Sequence, residues 1–133
     1  MAYLKGEFSD TAIIQKFKAG GAGVTKGEVC TITPAVAPTV AVCDASGNAP
    51  YAVAIETATT GDTVRCVVHG EVGVAADGNC YTGAIVGGKS GKAIVVAKPF
   101  ETLAPAAGPC PLGKVTEGAA STGIATVYVG WVV

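Results

Sequence analysis

Short segments in which polar and apolar residues alternate, separated by turns, run along most of this chain. Between Val64 and His69 the even positions hold valine, cysteine and valine, and the odd positions hold arginine, valine and histidine. A period of two predicts a strand with one buried face. A Gly-Asp turn precedes this strand, and Gly70 predicts a pivot into a second short strand from Glu71 to Val74.

The same pattern predicts further strands, separated by residues typical of turns. They are Val29 to Thr33, Thr39 to Cys43, Tyr51 to Glu56, Ala93 to Lys98, Lys114 to Thr116 and Thr126 to Val132. The prolines between Ala104 and Pro111 predict a rigid loop that cannot join a central strand. Many short strands, with no segment typical of a long helix, predict an all-β fold, either a small β-barrel or a sandwich.

The N-terminal region combines aromatic residues with lysines and precedes the first glycine cluster. Two structures are open for Ser9 to Lys18: a short helix capped by Ser9, or a strand. We favour the strand, because an isolated helix this short is marginal, and we expect Ala2 to Phe8 to form an extended arm before it. The chain then divides into an arm with a first strand (1–19) and a single β-barrel domain (20–133).

The composition indicates that an isolated copy of this chain would expose much apolar and uncharged surface to water. Hydrophobic residues make up 50% of the 133 residues and charged residues 14%, against about 25% charged in ordinary soluble domains. We therefore expect an oligomer or a protein bound to a larger surface. The net charge of -1 argues against a nucleic-acid partner. The apolar runs are shorter than the roughly 20 residues of a spanning helix, so no membrane partner is expected. The N-terminus lacks a signal-peptide pattern, which favours a cytoplasmic origin.

The cysteines have neither the number nor the spacing of a disulfide framework or a zinc site. They are Cys30, Cys43, Cys66, Cys80 and Cys110. We expect them to be small buried side chains, except Cys110, which lies between two prolines and is predicted to be the exposed thiol.

One segment matches a motif of nucleotide-binding proteins. Gly83 to Ser90 (GAIVGGKS) fits the G-x-x-x-x-G-K-S pattern of phosphate-binding loops. Such a loop needs a following helix whose amide groups hold the phosphates. A strand-like sequence follows Ser90 instead, so we expect a hairpin turn.

The remaining residues indicate no reaction centre. Alternation places His69 opposite Cys66, which argues against a Cys-His nucleophile, and the carboxylates are dispersed. We expect no enzymatic activity, no cofactor and no metal ion. Trp131 shares a strand face with Val127 and Val129, and we predict that it is a core or subunit-interface anchor.

Glycine- and valine-rich segments follow one another in a recognisable order. Gly23 to Val29 reads GVTKGEV, Gly61 to Val72 contains a valine-rich strand interrupted by glycine, and Leu112 to Val115 precedes Gly123 to Val129. In this order they resemble the opening GVT-x-G-D-x-V, the central v-x-v-x-G-x-v and the closing strands of the tailed-phage capsid cement, or head decoration, family. The resemblance covers residues 9–133.

The resemblance implies a small β-barrel, similar to lambda-type decoration proteins, that forms homotrimers on an icosahedral phage head and stabilises it. Its partners would be the major capsid protein and further copies of itself, and its location the outer capsid surface of the virion. The arm, with Ala2, Tyr3, Leu4, Lys5 and Phe8, could then add a strand to a capsid-protein sheet. The alternatives are a subunit of another virion assembly, such as a fibre or baseplate, and a small ligand-binding barrel.

Overall fold

The computed structural model describes residues 3–33, 35–43, 51–98 and 112–130, which form strands and turns without a helix. The all-β prediction is therefore confirmed. The strands of this part of the chain are β1 (Ile13–Ala19), β2 (Val29–Thr33), β3 (Thr39–Val42), β4 (Tyr51–Ala54), β5 (Thr63–Ala75), β6 (Ile85–Lys89), β7 (Lys92–Ala97), β8 (Gly113–Glu117) and β9 (Ile124–Val129).

Five strands close a small barrel in the order β1-β3-β2-β4-β5, because β1 pairs with β5 as well as with β3. Alternate residues of each strand point into it. Five strands enclose a narrow space, which suits alanine, valine and cysteine side chains. The buried residues of this interior are Phe17, Ala19, Val24, Cys30, Val40, Ala52, Ala54, Val64 and Cys66.

The long strand β5 continues from the barrel into a second group of strands. Its first half pairs with β1 and β4, and its second half pairs with β9, followed by β8, β6 and β7. The transition falls at Gly70, whose φ of 126° and close approach to Ala12 favour glycine. The predicted pivot between two strands was wrong, because backbone pairing continues through Gly70 and makes one strand of 13 residues.

A second core fills the space between the barrel and the strands beyond it. Its barrel side includes Val29, Val53 and Val67, and its other side includes Val72, Val74, Val86, Leu112, Val115, Val127 and Val129. Strand β6 comes so close to the barrel that a Cβ on Gly88 would lie 2.7 Å from Val29 Cγ1 and 3.1 Å from Cys43 Sγ. The second core therefore depends on a glycine at this position.

The segment that matched a phosphate-binding loop is a strand followed by a tight turn. Ile85–Lys89 pairs with β7, and the turn residues Ser90 and Gly91 have φ values of 50° and 75°. Positive φ at both central residues is typical of a two-residue type I′ hairpin. The Gly91 N–H donates to the Cys43 carbonyl at 2.9 Å, and the Val29 N–H donates to the Gly91 carbonyl at 2.8 Å. The predicted hairpin is confirmed, and its turn is bonded to the barrel.

Strand β6 itself was not predicted, and the other predictions differ from the structure mainly at strand ends. β2 has the predicted bounds, and β9 begins at Ile124 rather than Thr126. The strand predicted within Ser9 to Lys18 begins only at Ile13, because the Ala12 N–H donates to the Ser9 carbonyl at 3.0 Å and closes a turn there. The predicted loop from Ala104 to Pro111 lies outside the described residues.

Candidate binding surface

The described part of the arm is paired with β5 of its own chain. Its Gly6 N–H donates to the Gly73 carbonyl at 2.9 Å, and the Gly73 N–H donates to the Glu7 carbonyl at 2.9 Å. A third bond joins the Ser9 N–H to the Glu71 carbonyl at 3.0 Å. β9 pairs with the opposite edge of β5 here, so the arm completes the sheet on this side. Residues 6, 7 and 9 are therefore bonded to β5 of the same chain, and capsid binding by the arm stays a prediction.

A tight turn directs the start of the arm across Gly73. The Glu7 N–H donates to the Leu4 carbonyl at 2.9 Å, and the Leu4 N–H donates to Glu7 Oε1 at 3.1 Å. Gly6, within this turn, has a φ of 79°. A Cβ on Gly73 would overlap the Leu4 carbonyl and lie 2.9 Å from the carbonyl oxygen of Tyr3. Gly73 thus permits the contact between arm and strand.

The arm leaves large apolar side chains in solvent. Leu4 is 70% exposed and Phe8 is 38% exposed, whereas Tyr3 is half-buried and Lys5 is exposed. Ile13, at the start of β1, is 54% exposed. We call Leu4, Phe8 and Ile13 the apolar strip, because they follow one another along the segment that runs beside β5. Of the other predicted site residues, Ala2 and Trp131 lie outside the described residues.

Polar side chains line the solvent side of β5, β8 and β9. Glu71 Oε2 accepts a hydrogen bond from Thr116 Oγ1 at 2.9 Å. The His69 and Tyr128 rings meet edge to face, with centroids 5.3 Å apart and planes at 89°. His69 is exposed here, while Cys66 is buried inside the barrel. The prediction that these two residues face apart is confirmed.

Four of the described cysteines are buried and outside any disulfide, and burial suppresses the ionisation of three of them. Burial raises the pKa of Cys66 from 9.0 to about 12, with a smaller contribution from Glu56. Burial, and to a lesser extent Cys66, also raises the pKa of Cys30. The pKa of Cys80 is raised by burial and by Asp77. As thiolates are the nucleophilic form, these side chains act as core residues, as predicted for Cys30, Cys43, Cys66 and Cys80.

A basic cluster lies on the outside of the barrel. Lys16 and Lys18 of β1 are exposed, and Lys16 lies opposite Arg65 of β5. Arg65 Nε donates to Glu56 Oε1 at 3.2 Å, and the Arg65 backbone N–H reaches the same oxygen at 3.2 Å. The hydrogen bond from the Arg65 side chain is the main reason that the pKa of Glu56 is lowered. This cluster could not be predicted from the sequence. The alternation of Lys16 and Lys18 is visible there, but the pairing of β1 with β5 is not.

Two shallow surface grooves lie among the described residues. One, of about 260 Å³, is lined by Lys16, Phe17, Lys18, Ala37, Pro38 and Thr63; we call it the β1 groove. The other, of about 410 Å³, lies between residues 79–82 and 118–120. Within the same described residues, no three histidine, cysteine or acidic side chains converge as metal ligands. That part of the chain also contains no helix able to cross a membrane.

The fold matches a known virion component. The crystal structure of the N base of the head fiber protein gp8.5 of bacteriophage phi29 is similar over 90% of this chain and 95% of that chain, with a TM-score of 0.62. The two chains share this fold. Their sequence identity is 15%. No protein-family model and no curated protein sequence matches the chain.

Proposed function

We propose that this chain is a structural protein of a phage virion that binds the outer surface of the icosahedral head as a homotrimer and stabilises it. The observation that carries the proposal is the fold shared with a phage head fiber base over nearly the whole chain. The order of the GVTKGEV opening, the central strand and the closing strands, which resembles head decoration proteins, supports the same role.

The apolar strip supplies a physical basis for attachment. Burying apolar surface contributes about 25 cal/mol for each Å² removed from water, and Leu4, Phe8 and Ile13 each expose such surface. Since the arm backbone is already paired with β5, the ordering cost of binding is reduced. The major capsid protein is the partner we propose. A trimer would bind the head more tightly than a single copy. Binding of one copy raises the effective concentration of the other two beside their own sites.

We further propose that the chain has no enzymatic role and needs no cofactor. The raised pKa of Cys66 to about 12 and its separation from His69 support this view, since a nucleophile needs an ionised thiol beside its base. The hairpin at Ser90 and Gly91 likewise lacks the loop-to-helix geometry that holds phosphates. We propose no nucleic-acid and no membrane partner.

A second candidate is a subunit of a fibre that projects from the head. The neighbour is itself described as a head fiber N base, which favours this alternative over a baseplate subunit. The two candidates differ in copy number, since decoration covers the head at every equivalent position whereas fibres occupy selected ones.

Sedimentation with purified heads tests the proposal. Expanded heads that lack this protein should bind the added chain at a saturating ratio common to all equivalent surface positions, and should then withstand heating better. Unexpanded precursor heads serve as the control surface. Failure to sediment with either form of head would contradict head binding, and saturation at a few copies per head would favour the fibre alternative.

A further inference from the structure

One edge of β1 is open along most of its length. On one side β1 pairs with β5 from Ile13 to Lys18, but on the other it pairs with β3 only at Lys18 and Ala19. The Lys18 N–H points to that second side, where it donates to the Pro38 carbonyl at 3.2 Å. Alternate residues of a strand direct their backbone groups to the same side. The N–H and C=O groups of Ile14 and Lys16 therefore point to an edge on which no described residue pairs with them.

The β1 groove lies beside this open edge. It is lined by the buried Phe17 and the exposed Lys16 and Lys18 of β1. Ala37 and Pro38, which precede β3, line it as well. Since proline has no N–H to donate, Pro38 limits how far β3 can extend its pairing along β1. The groove thus leaves space for a further strand beside the backbone N–H and C=O groups of Ile14 and Lys16.

Positive charge is concentrated at the same place. Lys16 lies directly opposite Arg65, an arrangement that destabilises a sheet when both charges are alike. Glu56 is the carboxylate bonded to Arg65, and within the described residues no ion pair neutralises Lys16 or Lys18. Asp62, near the end of the groove, accepts a hydrogen bond from Thr59 Oγ1 at 2.5 Å. In a chain of net charge -1, this region has the opposite sign to the whole.

We propose that the open edge of β1 binds an extended acidic segment of a partner protein as an added strand. Backbone groups of the segment would pair with Ile14 and Lys16, and its carboxylates would meet Lys16, Lys18 and Arg65. Lysines on an edge also discourage pairing with another copy of the same edge, so a partner must bring negative charge. The lysines at the β1 edge therefore favour an acidic strand of a partner protein over the same edge of a second copy of this chain. The inference does not depend on the proposed head-binding role.

Amide NMR of the full chain tests this proposal with a defined probe. The probe is a capped peptide of sequence Thr-Glu-Val-Glu-Val-Glu-Thr, and the matched peptide carries lysine in place of each glutamate. The acidic peptide should shift the Ile14 and Lys16 amide signals and slow their exchange with solvent. Binding should weaken as salt is raised. The double variant Lys16→Glu, Lys18→Glu should bind about tenfold more weakly or worse. The control Lys89→Glu changes a lysine of β6 that does not line the groove, and it should bind as the unchanged chain does.

Each other outcome overturns the proposal. Equal binding of both peptides would show that charge does not select the partner. Binding of a short DNA duplex, but not of the acidic peptide, would show that the basic cluster binds phosphate groups rather than an acidic strand. Concentration-dependent changes at Ile14 and Lys16 without any peptide would show that a second copy occupies the edge. An unperturbed spectrum at high concentrations of the acidic peptide would remove the site altogether. Preserved signals from β4 and β9 in each variant show that the fold is intact.

Discussion

The α-carbon of Gly73 on β5 lies against the backbone carbonyl of Leu4, so closely that a Cβ at this position would overlap the carbonyl oxygen. The same glycine exchanges two backbone hydrogen bonds with the arm, through Gly6 and Glu7, each 2.9 Å long. One residue in the middle of a strand therefore holds residues 4–7 of the arm in place. This contact sets the position from which the arm presents Leu4.

A side chain at Gly73 should release the arm. Gly73→Ala would force Tyr3 and Leu4 away, and we expect a loss of about 1–3 kcal/mol in the free energy of unfolding, typical of overpacking. Hydrogen exchange at Gly6 should accelerate at the same time. The control is Gly20→Ala, where a Cβ would meet its nearest atom at 3.5 Å. Unchanged exchange at Gly6 in Gly73→Ala would show that this contact does not hold the arm.

Removal of residues 2–8 should abolish head binding but leave the barrel folded. The two cores do not include the arm, so the stability loss should be limited to backbone bonds worth about 0.5–1.5 kcal/mol each. The double variant Leu4→Ser, Phe8→Ser keeps the backbone and tests the apolar side chains alone. Ile124→Ser, which changes an apolar residue 36% exposed on β9, is the matched control. Head sedimentation and thermal unfolding measure both effects, and undiminished binding after the deletion would exclude the arm as a capsid contact.

A methyl group at Gly88 should weaken the second core. In Gly88→Ala the new Cβ would press on Val29 Cγ1 at 2.7 Å and on the Tyr51 ring at 3.2 Å. Buried side chains and backbone on both sides leave little room for relief, so we expect a loss of about 1–3 kcal/mol in denaturant unfolding. Gly20→Ala again serves as the reference, with an expected change within about 0.5 kcal/mol. Equal stability of the two variants would contradict the tight packing of β6 on the barrel.

Alkaline pH should destabilise the protein partly through Cys66. Its pKa is about 12 in the folded chain against 9.0 ordinarily, so the unfolded chain loses this proton first. The stability due to the protonated thiol is complete below pH 9.0 and is lost as the pH rises towards about 12. Denaturant unfolding between about pH 8 and pH 10 should therefore show a steeper decline for the unchanged chain than for Cys66→Ala. Parallel declines would contradict the assignment.

The native protein should react with thiol reagents at a single cysteine. Cys30, Cys43, Cys66 and Cys80 are buried, and thiolate formation and access together set reactivity. Cys110, between Pro109 and Pro111, stays the predicted reactive thiol. Mass spectrometry after brief iodoacetamide treatment near neutral pH should find modification at Cys110, and at all cysteines only after unfolding. Modification of Cys66 in the native chain would contradict the closed barrel interior.

Strand positions could be predicted where alternation and turn residues agree. Val29 to Thr33 was predicted with the bounds of β2 because the apolar period is followed by Pro34. β6 could not be predicted, since Gly87 and Gly88 have the composition of a turn. A glycine is needed at position 88 because the strand packs closely against Val29, which is far away in the sequence. Likewise, nothing local indicates that pairing continues through Gly70.

The candidate surface was predicted only in its residues, not in its geometry. The sequence indicates an apolar arm that contains Leu4 and Phe8, and in the structure both side chains are exposed. The bond between Gly6 and Gly73 joins residues distant in the chain and has no signature of its own. The basic cluster escaped prediction for the same reason, because Lys16 and Arg65 become neighbours only through the register of β1 with β5.

Electron cryomicroscopy of the virion that carries this protein would decide whether the chain binds the head. We expect trimeric density on the outside of the head at threefold positions, into which the barrel fits with the apolar strip facing the shell. Density for this chain only in the tail or baseplate, or none on the outer surface of the head, would contradict it.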